Sequence, residues 1–224
     1  MLRSARASAT RCALTLAGLL AVGCSESNAG RNDTAVAPAP AAAASAPSTA
    51  PAPTSPPLVA AARSQIGVTV VYDPAYVVLP YPGGDVPKDR GVCTDVVIRA
   101  LRTQGLDLQH VVHEDMRGNF AKYPQKWGLR GPDRNIDHRR VPNLQTYFAR
   151  NGWSLTPSRE AADYRAGDLV TWMLPGNLPH IGIVSDRRSY SGTPLILHNI
   201  GNGTREDDIL FAYAITGHYR PKLP

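Results

Sequence analysis

Residues 25–57 contain no Trp, Tyr or Phe, and Ala, Pro and Ser dominate them. Such a stretch cannot bury enough apolar surface to offset its ordering entropy, so a disordered linker is expected there. Its prolines favour an extended chain rising ~3 Å per residue, which gives a maximum reach on the order of 100 Å. Folding is therefore confined to residues 58–224, which hold all nine tyrosines and all three tryptophans. That length suits one domain with its own core.

Residues 1–24 read as an export signal. Arg3, Arg6 and Arg11 form a positive head, and the apolar run from Cys12 to Val22 is too short for a stable transmembrane helix. The run ends in Leu20-Ala21-Val22-Gly23-Cys24, which resembles the lipobox of bacterial lipoproteins. That resemblance implies cleavage before Cys24, a lipid on its thiol, and a location in the cell envelope facing the periplasm or exterior. The long linker suits a tether between that membrane anchor and the cell wall.

Within 58–224, helical patterns precede strand patterns. A short helix is expected over Leu58–Gln65 and an extended piece over Val68–Tyr72. A helix is expected from Cys93, with Val96, Val97, Ala100 and Leu101 on one face and Gly105 as C-cap. Leu106–Met116 is a candidate short helix. Gly118–Arg140 has no sustained period and reads as a long loop, and Pro142–Asn151 opens with proline in a first helical turn. Four β-prone stretches follow, Asp168–Leu174, His180–Asp186, Pro194–Asn199 and Ile209–His218. Helices first and successive strands afterwards imply an α+β fold, with the Cys93 helix packed on a small antiparallel sheet.

Cys93 is the only cysteine beyond residue 24, so the domain contains no disulfide framework. A lone cysteine followed by histidines is the pattern of a thiol nucleophile with base and orienter. Cys93, His180 and His198 supply those types, and the chemistry needs no cofactor. A helix N-terminus favours the thiolate, so the Cys93 thiol is expected to ionise below the ~8.5 of an ordinary cysteine.

Gly167-Asp168-Leu169-Val170-Thr171-Trp172 and His180-Ile181-Gly182-Ile183-Val184-Ser185 resemble the core motifs of the NlpC-type cell-wall cysteine peptidases. The resemblance implies a papain-like fold, peptidoglycan stem peptides as substrate, and His198 as the polar triad member on the next strand. Tyr81 and Gly83-Gly84 stand before Cys93 where that family carries a tyrosine and a Gly-Gly. This suggests that Tyr81 joins the Cys93 N–H in holding an oxyanion. Where those peptidases read Asp-Cys-Ser-Gly, this chain reads Val92-Cys93-Thr94-Asp95. The whole domain also resembles a family of exported bacterial proteins that brings no established activity. Pro80–Pro87, Gly91–Asp95, Pro132–Asn143 and Gly217–Arg220 carry that likeness.

Other polar residues have two readings each. Asp95 either serves the site, replacing the missing acid, or caps the helix. Arg139 and Arg140 either grip a substrate carboxylate or pair with the acids of their own loop. His113-Glu114-Asp115 and Asp137-His138 hold nitrogen and oxygen ligands without a metal-binding spacing. A metal-dependent amidase and a non-catalytic wall-binding protein are the alternative functions. Residues 58–224 carry 20 Lys and Arg against 16 Asp and Glu. That surplus is compatible with an acidic wall polymer and, without a basic run or aromatic ladder, does not imply nucleic acid.

The anchor is directly testable. Labelled palmitate fed to cells should enter the wild-type protein and fail to enter Cys24→Ala. Equal labelling of both would reduce the segment to an ordinary secretion signal.

Overall fold

The computed structural model describes residues 54–224; the signal segment, Cys24 and nearly all of the linker lie outside them. The fold is built on a central helix, α2 (Cys93–Arg102), in which every residue from Cys93 to Leu101 is buried. Its start is defined by one carboxylate. Val92 is extended, its N–H donates to Asp95 Oδ2 at 2.7 Å, and the Asp95 N–H returns a bond to the Val92 carbonyl at 3.1 Å. The Asp95 side chain thus satisfies a donor at a helix start, where backbone N–H groups otherwise lack partners. Burying a whole helix requires partners for its polar residues too. Thr94 Oγ1 donates to the Arg139 carbonyl, and Arg99 donates to Asp85, Thr69 Oγ1 and the Val86, Pro87 and Arg90 carbonyls.

Around α2 lie α1 (Pro57–Arg63), α3 (Leu108–Asn119) and α4 (Val141–Arg150). Asp107 caps α3 by accepting from the Gln109 N–H, and the helix runs past the expected Met116. Pro142 sits in the first turn of α4, and Trp153 beyond its end stacks on Phe148 with centroids 4.9 Å apart. The loop before α4 holds two 3-10 turns, Phe120–Lys122 and Asp137–Arg139.

β1 (Val71–Tyr72) and β2 (Arg90–Gly91) form a small parallel pair. The main sheet comprises β3 (Ser154–Leu155), β4 (Leu169–Leu174), β5 (Leu178–Arg188), β6 (Pro194–Asn199), β7 (Thr204–Asp207) and β8 (Ala214–Tyr219). It is antiparallel throughout in the order β3-β8-β4-β5-β6-β7. Alternation divides it cleanly. Leu169, Ile181, Ile183 and Leu197 join the helices in the main core. Val170, Trp172, Val184 and Ile196 pack on the other face with Tyr164 and Leu210. The α+β class and the antiparallel sheet are as expected.

Two differences have local causes. The last stretch pairs only from Ala214, because Ile209–Phe211 turns back over the second cluster, where Trp172 Nε1 donates to the Leu210 carbonyl at 2.9 Å. The polar Thr204–Asp207 segment, not expected as a strand, pairs with β6 across the Gly201–Gly203 turn. Gly203 has φ +80° and approaches so closely that a Cβ there would meet the Thr69 carbonyl at 2.5 Å. The Asp168 of the Gly-Asp-Leu motif is structural: it accepts from His218 Nε2 at 2.8 Å and from Arg220 through two 2.7 Å bonds, tying β4 to β8.

Gly182 faces β6 with no room to spare. A Cβ there would stand 2.5 Å from Ile196 Cγ2 and 3.2 Å from His198 Cβ. Gly182→Ala should cost about 1–3 kcal/mol in urea unfolding through overpacking. Unchanged stability would mean that the β5–β6 register differs from this one.

Candidate active site

Cys93 is the first residue of α2 and 4% exposed. Its sulfur lies near the N–H of Ile181, the residue that follows His180, and near the N–H groups at the start of its own helix, all of which favour the thiolate. The nucleophile candidate is thereby brought to the β5 backbone, whereas the His180 side chain alternates onto the face of Trp172 and bonds His198 rather than the sulfur.

His180 and His198 meet by diagonal placement on one sheet face. His180 lies on β5 and His198 on β6, with Ile183 opposite Leu197, so the two rings reach each other across the position of Gly182. His180 Nε2 lies 3.0 Å from His198 Nδ1, and His198 Nε2 lies 3.1 Å from Asp207 Oδ2 on β7. The carboxylate sets the proton positions along this line. An ionised Asp207 only accepts, so His198 carries its proton on Nε2 and presents a bare Nδ1. His180 must then donate from Nε2, which leaves its Nδ1 as the basic nitrogen. The three strands thus deliver a neutral imidazole in a base-ready tautomer.

The expected low thiol pKa does not emerge. Burial pushes the Cys93 thiol up to about 12, the nearby Asp95 carboxylate adds to that, and the three N–H donors only partly offset it. Burial likewise pushes His180 down to about 3, reinforced by His198. The resting pair is therefore thiol and neutral imidazole, and no preformed imidazolium stabilises a thiolate.

Cys93 opens onto a cleft of about 370 Å³ whose walls include Tyr72, Lys126, Trp127, Arg139 and Arg140. Tyr81 is not among them. Gly83 and Gly84 donate to the Asp107 and Gln109 side chains, which draws this segment to α3. There the Tyr81 hydroxyl donates to Glu114 at 2.9 Å, with His110 Nδ1 3.0 Å away. Tyr72, ignored in the sequence because it sits in a short extended piece, is the tyrosine beside Cys93. Burial first, and then the Cys93 and Asp95 charges, raise its phenol.

Arg139 is no substrate fork. Its guanidinium makes two 2.9 Å bonds to Asp95 and donates to the Ala75 and Asp73 carbonyls. Asp95 in turn is committed to helix capping and this pair. Arg140 lies over Trp127, 4.1 Å from the ring centroid, and bonds Asp137 at 3.0 Å. Of the sequence's candidate metal ligands the carboxylates are spent within the fold, while His113 and His138 each keep a buried Nδ1 without a partner among the described residues. Glu114 accepts from Tyr81 and Arg117, and Asp115 from Tyr123, Asn119 and Arg150. Among the described residues no three of His, Cys, Asp and Glu group as a metal site.

The family model described as a domain of unknown function (DUF1287) matches residues 59–221. The chain belongs to the DUF1287 family. It is also 62% identical over 159 residues to the uncharacterized protein YijF of Escherichia coli (strain K12), covering 71% of this chain and 78% of that one. The residues matched by the family model include Cys93, His180 and His198.

Burial of neutral histidines is expected to make this DUF1287 domain acid-sensitive. His138 and His180 fall from an ordinary 6.5 to about 3, burial being the main cause in both. Because the folded values are depressed, the unfolded chain takes up the extra protons. Stability is complete above pH 6.5 and declines as pH falls toward 3, by about 2 kcal/mol per histidine between pH 7 and 5. Urea titrations at the two pH values should show this loss, and His138→Gln should remove about 2 kcal/mol of it, leaving the part due to His180 and to His198, which burial also shifts down. An equal loss in the variant would contradict burial of a neutral His138.

Proposed function

We propose that this protein is an exported, lipid-anchored thiol hydrolase of NlpC-like, papain-type architecture that cleaves amide bonds in peptidoglycan stem peptides. The observation that carries the reading is the line His180–His198–Asp207, two contacts of 3.0 and 3.1 Å, on the strand whose Ile181 N–H lies at the sulfur of Cys93. Cys93 attacks the carbonyl carbon as its proton passes to His180 Nδ1, so general-base transfer accompanies attack rather than preceding it. The amine departs with that proton, and water then hydrolyses the thioester. The Cys93 N–H and Tyr72 are the groups suited to the oxyanion. The anchor and linker agree with work in the cell envelope.

One observation favours a second reading, a non-catalytic wall-binding lipoprotein: the thiol is nearly buried and its pKa is raised. Digestion of sacculi followed by mass spectrometry separates the two. The wild-type protein should release new termini and Cys93→Ala none, whereas equal profiles would exclude a thiol mechanism. Asp207→Asn is the finer test. An amide that donates to His198 Nε2 reverses both tautomers and blocks His180 Nδ1, so kcat should fall roughly 100-fold or more with the fold intact.

A further inference from the structure

The charges around the cleft point to the kind of acyl donor it takes. Its lining contains Lys126, Arg139 and Arg140 and no aspartate or glutamate. Asp95, the acid nearest the nucleophile in sequence, is 3% exposed and turned to Arg139 and the Val92 N–H. Of the cations, Arg139 is consumed internally and the other two are not. Among the described residues Lys88 is the only lysine in an ion pair, so exposed Lys126 has no carboxylate partner there. Arg140 uses Nη1 on Asp137, and its Nε and Nη2 have no protein acceptor among the described residues. Trp127 lies against its guanidinium, 4.1 Å from the ring centroid, and an arginine Nε–Nη2 edge has the spacing for a carboxylate.

We infer that the cleft recognises a carboxylate on the substrate, held by Arg140 through Nε and Nη2 with Lys126 as a second charge and Trp127 as the floor. The inference rests on the thiol-hydrolase reading for the role of Cys93, yet binding of the carboxylate is separable from cleavage. A donor whose only charge near the reacting carbonyl is an ammonium meets cations on this wall and no counter-ion, so it is disfavoured. Inorganic phosphate is the competing anion, and the test must separate the two.

The indole N–H resonance of Trp127 in the full-length protein reports binding without turnover. Glutarate should move it saturably, while glutaramide and equimolar inorganic phosphate should not; the shift should vanish in Arg140→Gln and weaken in Lys126→Gln. Alkylation gives a second readout at Cys93, followed by peptide mapping. The ratio of iodoacetate to iodoacetamide rates should exceed that of the urea-unfolded chain by about three- to tenfold, and fall toward it in the double variant or at high salt. A Trp127 resonance that ignores glutarate, or that follows phosphate equally well, overturns the carboxylate site. Cleavage of sacculi with no glutarate effect would leave the hydrolase standing and remove this inference. Carboxylate binding by a protein that cleaves nothing would do the reverse.

Discussion

The Asp95 carboxylate is the point from which the rest of the site is built. It holds the Val92 N–H at the head of α2 and grips Arg139 with two bonds, and Arg139 in turn fastens the Asp73 and Ala75 carbonyls beside Tyr72. One buried ion pair therefore sets the helix start, the cleft wall and the floor of the charged loop together. Both side chains are almost fully buried, 3% and 4% exposed. Removing either would strand the other's charge in the core at a cost of roughly 3–5 kcal/mol. The same pair turns the acid nearest the nucleophile away from the cleft, so the residues that fix the architecture also set the sign of the charge presented to a ligand.

Opposed to this rigid side is a chain of protons. Asp207 orients His198, and His198 orients His180, each across one strand of the sheet. Burial keeps the imidazole uncharged and the thiol protonated. In the thiol-hydrolase reading proposed above, proton transfer from such a thiol accompanies bond formation to the carbonyl rather than preceding it.

Much of this was legible in the chain. The α2 start could be read from Cys93, Asp95 and the apolar face beyond them, and alternation put His180 and His198 on neighbouring strands. What escaped depended on distance through space. Asp207 lies in a short polar segment with no β pattern, and only pairing with β6 brings it to His198. Tyr81 had the right interval from Cys93, but Asp107 and Gln109 hold its loop at α3, and Tyr72 takes the place by the cleft. Arg139 and Arg140 are adjacent and chemically identical, so sequence could not divide a buried clamp from a half-open one. The thiol's direction of shift was missed for the same reason: the helix N-terminus is visible in sequence, and the desolvation that outweighs it is not.

The central claim is that Cys93 and His180 form one unit whose base is His180 Nδ1. Nitrogen-15 NMR of the histidine rings, before and after Cys93 is blocked as a methyl disulfide, tests it most directly. The account predicts a neutral His180 protonated on Nε2, with an Nδ1 signal that moves when the sulfur is blocked while His138 and His218 stay still. A His180 protonated on Nδ1, or one indifferent to the state of Cys93, would contradict it.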